Sequence, residues 1–399
     1  MARARLAAMH AQLDEARYLP FSFWSASAKT GFSPISPGIP SYAAAPPDRT
    51  TPILGTLEPF FQMSMSGLVP LYTFGKIASG ERAAEAQVRV GEWDVEKNRQ
   101  QVRADVRRAY FGLMAARDAA YLAADVREKL AKRMDTLSRR IEEGDTRVDE
   151  DDRSRLEMYR DELESRAGEA KRGESLTAAA LRFLTGVSSG FDIPDAPLSR
   201  PRVLLQSIAR YLTAARIHRA EPNMARAGVA ARKAQVDLAR ANLFPNIGIA
   251  LGFNYGVAPT PTNPINGFTP FAAFGLEWGL DLLPKKARLE AAEAQLEETR
   301  SLERLSFTGI GAEVEGAYAY ANEAKSREEL WEAAERRAKE WITRVENAVD
   351  LGTRDDRGLL EPIRAYVQAR ANHIVALMDF NVALSELARV SGWDSSAPS

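Results

Sequence analysis

From Gly75 to Glu143 the chain runs without a proline, and apolar side chains recur through it at spacings of three and four in a strongly charged background. Val102, Val106, Tyr110 and Leu113 form one such row, and Val126, Leu130, Met134, Leu137 and Ile141 continue it. That spacing lays the row along one stripe of an α-helix. At 1.5 Å per residue, one helix over these residues is roughly 100 Å long. No compact domain holds such a rod, so the choices reduce to a coiled coil, a helical hairpin or a helical tube.

The pattern occurs twice. AEAQ at Ala84–Gln87 returns at Ala292–Gln295, an offset of 208, and at that same offset Ala104-Asp105-Val106 with Ala109-Tyr110 falls on Ala312-Glu313-Val314 with Ala317-Tyr318. Gly144-Asp145-Thr146-Arg147 falls on Gly352-Thr353-Arg354-Asp355, and the Leu181 to Gly186 spacing resembles that from Leu387 to Gly392. Several matches in constant register mark a duplication. The first repeat covers 1–200: a helix, strands at about 21–32 and 60–71, a long helix over 75–143, a turn near 144 and a helix over 148–187. The second covers 201–399: helices over 203–243, strands at 246–257 and 268–282, a long helix over 285–350, a turn near 352 and a helix to about 391.

The strands are one-sided. In Asn246–Val257, Ile247, Ile249, Leu251, Phe253, Tyr255 and Val257 alternate with Gly248, Ala250, Gly252, Asn254 and Gly256. In the next strand Phe274, Leu276, Trp278, Leu280 and Leu282 oppose Gly275, Glu277, Gly279 and Asp281, and in the first repeat Phe61, Met63 and Met65 oppose Gln62, Ser64 and Ser66. Each is near the 9 to 11 residues or so that cross a bilayer as a β-strand. Open strand edges do not survive in hydrocarbon, and four strands are too few to close a barrel, so a membrane reading requires several chains to pool strands. Phe244, Phe253, Tyr255, Phe271, Phe274 and Trp278 then suit interfacial girdles, while Glu277 and Asp281 line a wet lumen. The competing arrangement is a soluble sandwich whose apolar faces meet each other.

Composition removes other classes. There are 53 basic and 54 acidic residues, a formal net charge of -1, which gives no field to attract nucleic acid. Cysteine is absent, so disulfides, thiolate metal sites, thiol catalysis and a lipid-bearing cysteine are ruled out. His10, His218 and His373 stand singly, at no metal-ligand spacing. The chain has no glycine-rich phosphate loop, no convergent acid and base and no nucleophile with a histidine, so the expectation is no enzyme, no cofactor and no metal. No run of about 18 apolar residues suggests a membrane-spanning helix.

The repeated plan, the segment HRAEPNMARAGVAARKAQVDLARANLFPNI (His218–Ile247) and the turn LGTRDDRGLLEPIRAYVQA (Leu351–Ala369) resemble the TolC family of outer-membrane efflux channel proteins. The resemblance covers almost the entire chain. It implies a mainly α fold with a small antiparallel β part. In a homotrimer, the duplicated helical hairpins build an α-barrel across the periplasm, and four strands per chain join a shared β-barrel in outer-membrane lipid. It further implies the exit duct of a tripartite efflux or type I secretion system, fed through a periplasmic adaptor (membrane fusion) protein by an inner-membrane pump. The rival function is a soluble coiled-coil scaffold without a pore.

By the same resemblance the two helical turns are tips that dock the adaptor, at Gly144, Asp145 and Thr146 and at Leu351, Gly352 and Thr353. A gate inside the tips takes Arg354 with Glu150 as its acidic partner, and Glu361 in an acidic ring. Gly358 stands where the ring's other acid is expected, which shifts that charge to Asp355 or Asp356. Pro362 also departs from the pattern and is expected to kink or delay the returning helix. Lipid is assigned to Ile247, Ile249, Leu251, Phe253, Tyr255, Phe274, Leu276 and Trp278. Aligning Pro20 with Pro245 sets Met1 opposite Arg226, leaving the helix of Pro201–Ala225 without a counterpart. MARARLAAMHAQLDEARYLP is no signal peptide, so the reading expects a truncated start.

Overall fold

The structure is a computed structural model that describes residues 1–19, 24–34, 57–143, 150–187, 193–194, 196–201, 204–258, 265–351, 353 and 356–394. In order they form α1 (Ala2–Tyr18), β1 (Trp24–Pro34), β2 (Leu57–Tyr72), α2 (Lys76–Glu142), α3 (Glu150–Thr185), α4 (Ile208–His218), α5 (Ala220–Ala241), β3 (Asn246–Ala258), β4 (Ile265–Glu277), α6 (Leu282–Asp350) and α7 (Leu360–Ser391), with a 3₁₀ turn at Asp356–Leu359 before α7. The long proline-free stretch is one helix of 67 residues, and its counterpart α6 has 69. The chain divides into two compact units, Met1–Trp93 with Asn223–Arg304 and Asp94–Pro222 with Leu305–Ser399, so each draws on both halves of the sequence.

Unit 1 holds the strands. They form one antiparallel sheet in the order β1-β2-β3-β4. Opposed residues share a face, so the registers Trp24↔Gly67, Met65↔Phe253, Val69↔Ile249 and Ile249↔Phe274 put the apolar sets of all four strands on the same side. Among the described residues no second sheet faces this one, as the sandwich would need. In the same unit, α1 packs on α2 closely enough that a Cβ at Gly91 falls 2.6 Å from Met9 Sδ. Arg17 pairs with Glu81 at 3.1 Å across the same contact, and Arg240 of α5 with Glu293 of α6 at 3.3 Å. These ion pairs are exposed and worth little each.

Unit 2 is a packed helical body with three apolar clusters, and α7 contributes to all of them. Tyr211 of α4, Val314 of α6 and Phe380 of α7 anchor the first. Leu113 of α2, Leu181 of α3 and Ile374 of α7 anchor the second, and Leu130, Leu163, Val345 and Ile363 belong to the third. The stretch between α3 and α4 is tied to α2 by Leu198 N–H donating to Asp118 Oδ2 at 3.0 Å.

One sequence expectation changes and two gain detail. The helices over 203–243 are two, α4 and α5, parted because Pro222 has no N–H to donate to the carbonyl of His218 and its ring crowds that carbonyl. The chain therefore breaks at Arg219, which is extended (φ -72, ψ 142). The fourth strand does not reach 282: β4 ends at Glu277 and α6 starts at Leu282. Asp281 opens that helix, its carbonyl accepting from Lys285 N–H at 3.2 Å and its carboxylate pairing with Lys285 Nζ at 2.9 Å. Pro362 does delay α7, occupying its third position behind the 3₁₀ turn, where a missing N–H costs no helical bond.

Candidate functional site

The candidate site is not a catalytic pocket but a sheet face and two turns. On the apolar face of the sheet lie Trp24, Phe61, Met63, Met65, Ile247, Ile249, Leu251, Phe253, Tyr255, Phe268, Phe274 and Leu276, as alternation dictates. They touch one another in the plane of the sheet: Phe61 meets Tyr255 edge-on at 6.2 Å and Phe253 meets Phe268 at 5.3 Å. None of the three buried apolar clusters includes a strand residue. Phe274 is 85% exposed and Phe268 63%. A row of large apolar side chains left bare over four strands marks a surface made for an apolar neighbour.

The opposite face is small and polar. Ser27 and Ser64 hydroxyls lie 2.8 Å apart, Ser25 and Ser66 3.4 Å apart. Glycine has a specific use at Gly252, where a Cβ falls 2.4 Å from Met65 O and 2.7 Å from the Phe271 ring. Phe271 therefore lies on this face, stacked over Gly252, and not in the apolar girdle expected for it. Trp278 is likewise outside the strand; its indole N–H donates to Leu243 O at 3.1 Å, fixing the descent from β4. Phe244 stacks on Phe74 with ring centroids 5.1 Å apart, beside Tyr72. At the foot of the sheet Lys76 Nζ donates to Phe244 O and Asn246 Oδ1, each at 2.7 Å. Burial, then the neighbouring Lys285 charge, hold this amine below the usual lysine range.

At the turns the structure places only some of the expected residues. Gly144, Asp145, Thr146, Gly352, Arg354 and Asp355 lie outside the described residues. Leu351 is 78% exposed, and Thr353 donates its N–H and its hydroxyl to Ala348 O, both at 2.9 Å. Asp356 opens the 3₁₀ turn that also contains Gly358. Glu150 starts α3, exposed, with Arg153 at 4.0 Å. Glu361 is in the first turn of α7 and lines a cleft of about 340 Å³ with Tyr159, Glu162, Arg166 and Arg364. The Arg364 guanidinium sits 5.4 Å over the Tyr159 ring. Burial pushes the Tyr159 hydroxyl up to about 12, and that oxygen has no hydrogen-bond partner among the described residues.

Among the described residues no group of three or more histidine or acidic side chains could hold a metal ion, and no helix is long and apolar enough to cross a membrane. Residues 212–393 match the family described as outer membrane efflux protein. Through this segment the chain is similar to the outer membrane efflux proteins. The matched span runs from α4 into the end of α7 and includes the β3–β4 hairpin. Protein CyaE of Bordetella pertussis is 25% identical over 273 residues, 65% of this chain and 55% of that protein, so the chain spans about half the length of this relative.

Two solved outer-membrane proteins share the fold nearly end to end. The Neisseria gonorrhoeae MtrE outer membrane channel in its open state is 17% identical, with a TM-score of 0.77 covering 98% of this chain and 85% of that one. The outer membrane protein VceC from Vibrio cholerae is 18% identical, with a TM-score of 0.76 covering 98% and 92%. The fold is thus shared with these two proteins: long helices with a four-stranded antiparallel sheet.

Sequence reasoning missed one group of titratable residues, at the α6–α7 contact. His373 Nδ1 is 2.5 Å from Glu335 Oε2, and Arg370 Nη1 donates to both oxygens of Glu335 at 3.2 and 3.1 Å. Nothing in the sequence sets the register of α6 against α7, so a lone histidine gave no signal.

Proposed function

We propose that the chain is one protomer of a homotrimeric outer-membrane channel, the exit duct of a tripartite efflux or type I secretion system. The observation that carries this reading is the single open sheet with one bare apolar face and one small polar face. Three copies supply twelve strands, above the roughly eight at which small membrane barrels begin. The strands have 11, 16, 13 and 13 residues, enough to cross the outer membrane. The apolar face, with Ile247, Ile249, Leu251, Phe253, Tyr255, Phe274 and Leu276, meets lipid, and the serine and glycine face lines the lumen. The helices stand in the periplasm.

The conduit is passive and needs no catalytic group, because an inner-membrane pump and a periplasmic adaptor deliver its cargo. In this reading the adaptor docks at Gly144, Asp145, Thr146, Leu351, Gly352 and Thr353. Arg354, Glu150, Asp355, Asp356 and Glu361 gate the lumen, and their threefold repetition brings each carboxylate near its copies, which attracts cations.

Leu251 and Ser66 test the face assignment. Leu251 pairs with Gly67 and Ala272 in the middle of β3, and Ser66 sits one rung away on the opposite face, paired with Ser25 and Gly252. Leu251→Arg is expected to cost about 2–4 kcal/mol per site at mid-membrane depth, whereas a lumenal charge is tolerated. Thermal dissociation of the detergent-extracted trimer reads the difference: Leu251→Arg dissociates well below the wild type, and Ser66→Arg stays near it. Equal tolerance of both changes contradicts a lipid-facing sheet and favours the soluble scaffold.

A further inference from the structure

On α6, Glu328 and Glu335 are seven residues apart, close to two turns, so both carboxylates leave the same face of the helix. His373 of α7 stands between them, with Nδ1 at Glu335 and Nε2 3.6 Å from Glu328 Oε1. Glu328 is only 1% exposed. Its Oε2 and His373 Nε2 make no hydrogen bond among the described residues. The charges facing this pair come from several elements. Arg370 on α7 holds Glu335 in a two-pronged contact. Arg200, from the stretch before α4, reaches Glu328 at 3.5 Å, Glu329 at 2.6 Å and Glu332 at 3.7 Å. From α2 and α3, Leu113, Ala115 and Leu181 pack around Ile374 and Leu377, while Lys129 and Asp125 of α2 act on Tyr366, the α7 phenol that also feels Glu335. Glu329 also has Lys325 Nζ at 3.9 Å, so the cations of Arg200 and Lys325 lie at the Glu328–Glu332 end and Arg370 at Glu335, with the ring between Glu328 and Glu335.

An imidazole flanked by two carboxylates satisfies both in one state only. The imidazolium has two N–H groups, one for each side; the neutral ring has a single N–H and turns a lone pair toward the other carboxylate. We propose that His373 is a proton-operated latch: the charged ring joins α7 to Glu335 and Glu328 of α6, and loss of its proton releases the two helices at this level.

The Glu335 hydrogen bond raises His373 above the usual histidine range against the opposing effect of burial. Burial pushes Glu335 up, but His373 and Arg370 outweigh it and hold the carboxyl low. The histidine's contribution is therefore complete below its unfolded value of about 6.5 and is lost as pH rises through the raised folded value. The Glu335 contribution is present above the usual glutamate range and is lost as pH falls through its depressed value. The latch is closed between those limits. Under the channel reading it is a regulatory device, holding the α6–α7 pair together at lower pH and freeing it as the pH rises through the raised histidine value.

Hydrogen exchange on the full-length protein in detergent, across a pH series and corrected for intrinsic rates, tests the latch. Protection over 328–335 and 370–377 is expected to fall by about tenfold or more as the His373 proton leaves, while the α2 amides near Leu113 hold steady. His373→Gln is expected to exchange at the alkaline level at every pH, and Glu335→Gln to move the wild-type midpoint down. A His373→Gln variant that keeps the wild-type pH response overturns the proposal, as does a flat response in the wild type with α2 protection intact. The readout needs no pore, so a confirmed pH response in a protein that carries no current strikes the channel proposal and spares the latch.

Discussion

Arg219→Met is expected to lower the stability of unit 2 by roughly 3–5 kcal/mol, the usual cost of stripping one partner from a buried ion pair. Arg219 is 4% exposed and sits at the break between α4 and α5 that Pro222 imposes. Its guanidinium donates to both oxygens of Glu221 at 2.9 and 3.3 Å, to Glu313 on α6, and to Val390 O on α7 at 3.5 Å. Glu313 is half exposed and regains water, so most of the cost falls on Glu221. Burial is the largest influence on Glu221 and raises its pKa, but the Arg219 hydrogen bond and charge outweigh it and leave the carboxyl below its usual range.

Stability from Glu221 is accordingly present above the usual glutamate range and fades as pH falls through the depressed folded value. Exchange protection of the α4 and α7 amides should drop by roughly two to three orders of magnitude, at about 1.4 kcal/mol per tenfold change. Adding Glu221→Gln should recover part of that loss. A single-variant loss under about tenfold contradicts the assignment of Arg219 as the clasp of the kink.

Gly392→Ala carries the second large effect, and at the same place. Gly392 caps α7 in the left-handed region, φ 64 and ψ 8. A Cβ there falls 2.8 Å from Arg219 N and His218 C and 2.9 Å from His218 O, all backbone atoms that cannot rotate aside. Left-handed strain costs about 1–2 kcal/mol and forced overpacking about 1–3, which puts the total at roughly 2–5 kcal/mol. Gly186 provides the control: it also has positive φ, at the end of α3, but nothing lies within 4 Å of its Cβ position. Gly186→Ala should therefore show the strain alone. Chemical denaturation of the two variants separates the contributions, and equal losses contradict a steric role for Gly392. Because Gly392 packs on the backbone that Arg219 anchors, the double variant should lose less than the sum.

The elements most legible in the sequence were those whose residues act through local spacing. The long helix over 75–143 is observed at Lys76–Glu142, since its stripe needs no information from elsewhere in the chain. The strand faces followed from alternation, because a period of two fixes the side of every residue in a strand. Composition misleads where it overrides period. Phe271 shares parity with Gly275, and alternation alone places it on the small face, where Gly252 leaves room for its ring. Leu280 and Leu282 continued the alternation past Glu277, yet Asp281, Pro284 and Lys285 already carried the signs of a helix start. Pro222 likewise announced the break at Arg219. The His373 site was not legible, because it depends on how α6 and α7 align over 38 residues of sequence separation.

The central claim is that these chains pool their strands into a pore. The direct measurement is single-channel recording of the full-length protein, extracted from outer membranes in detergent, checked for β-structure and helix content, and reconstituted into a planar bilayer. The account predicts a heat-resistant trimer that inserts in uniform conductance steps. A folded protein that remains monomeric in detergent and passes no ion current contradicts it.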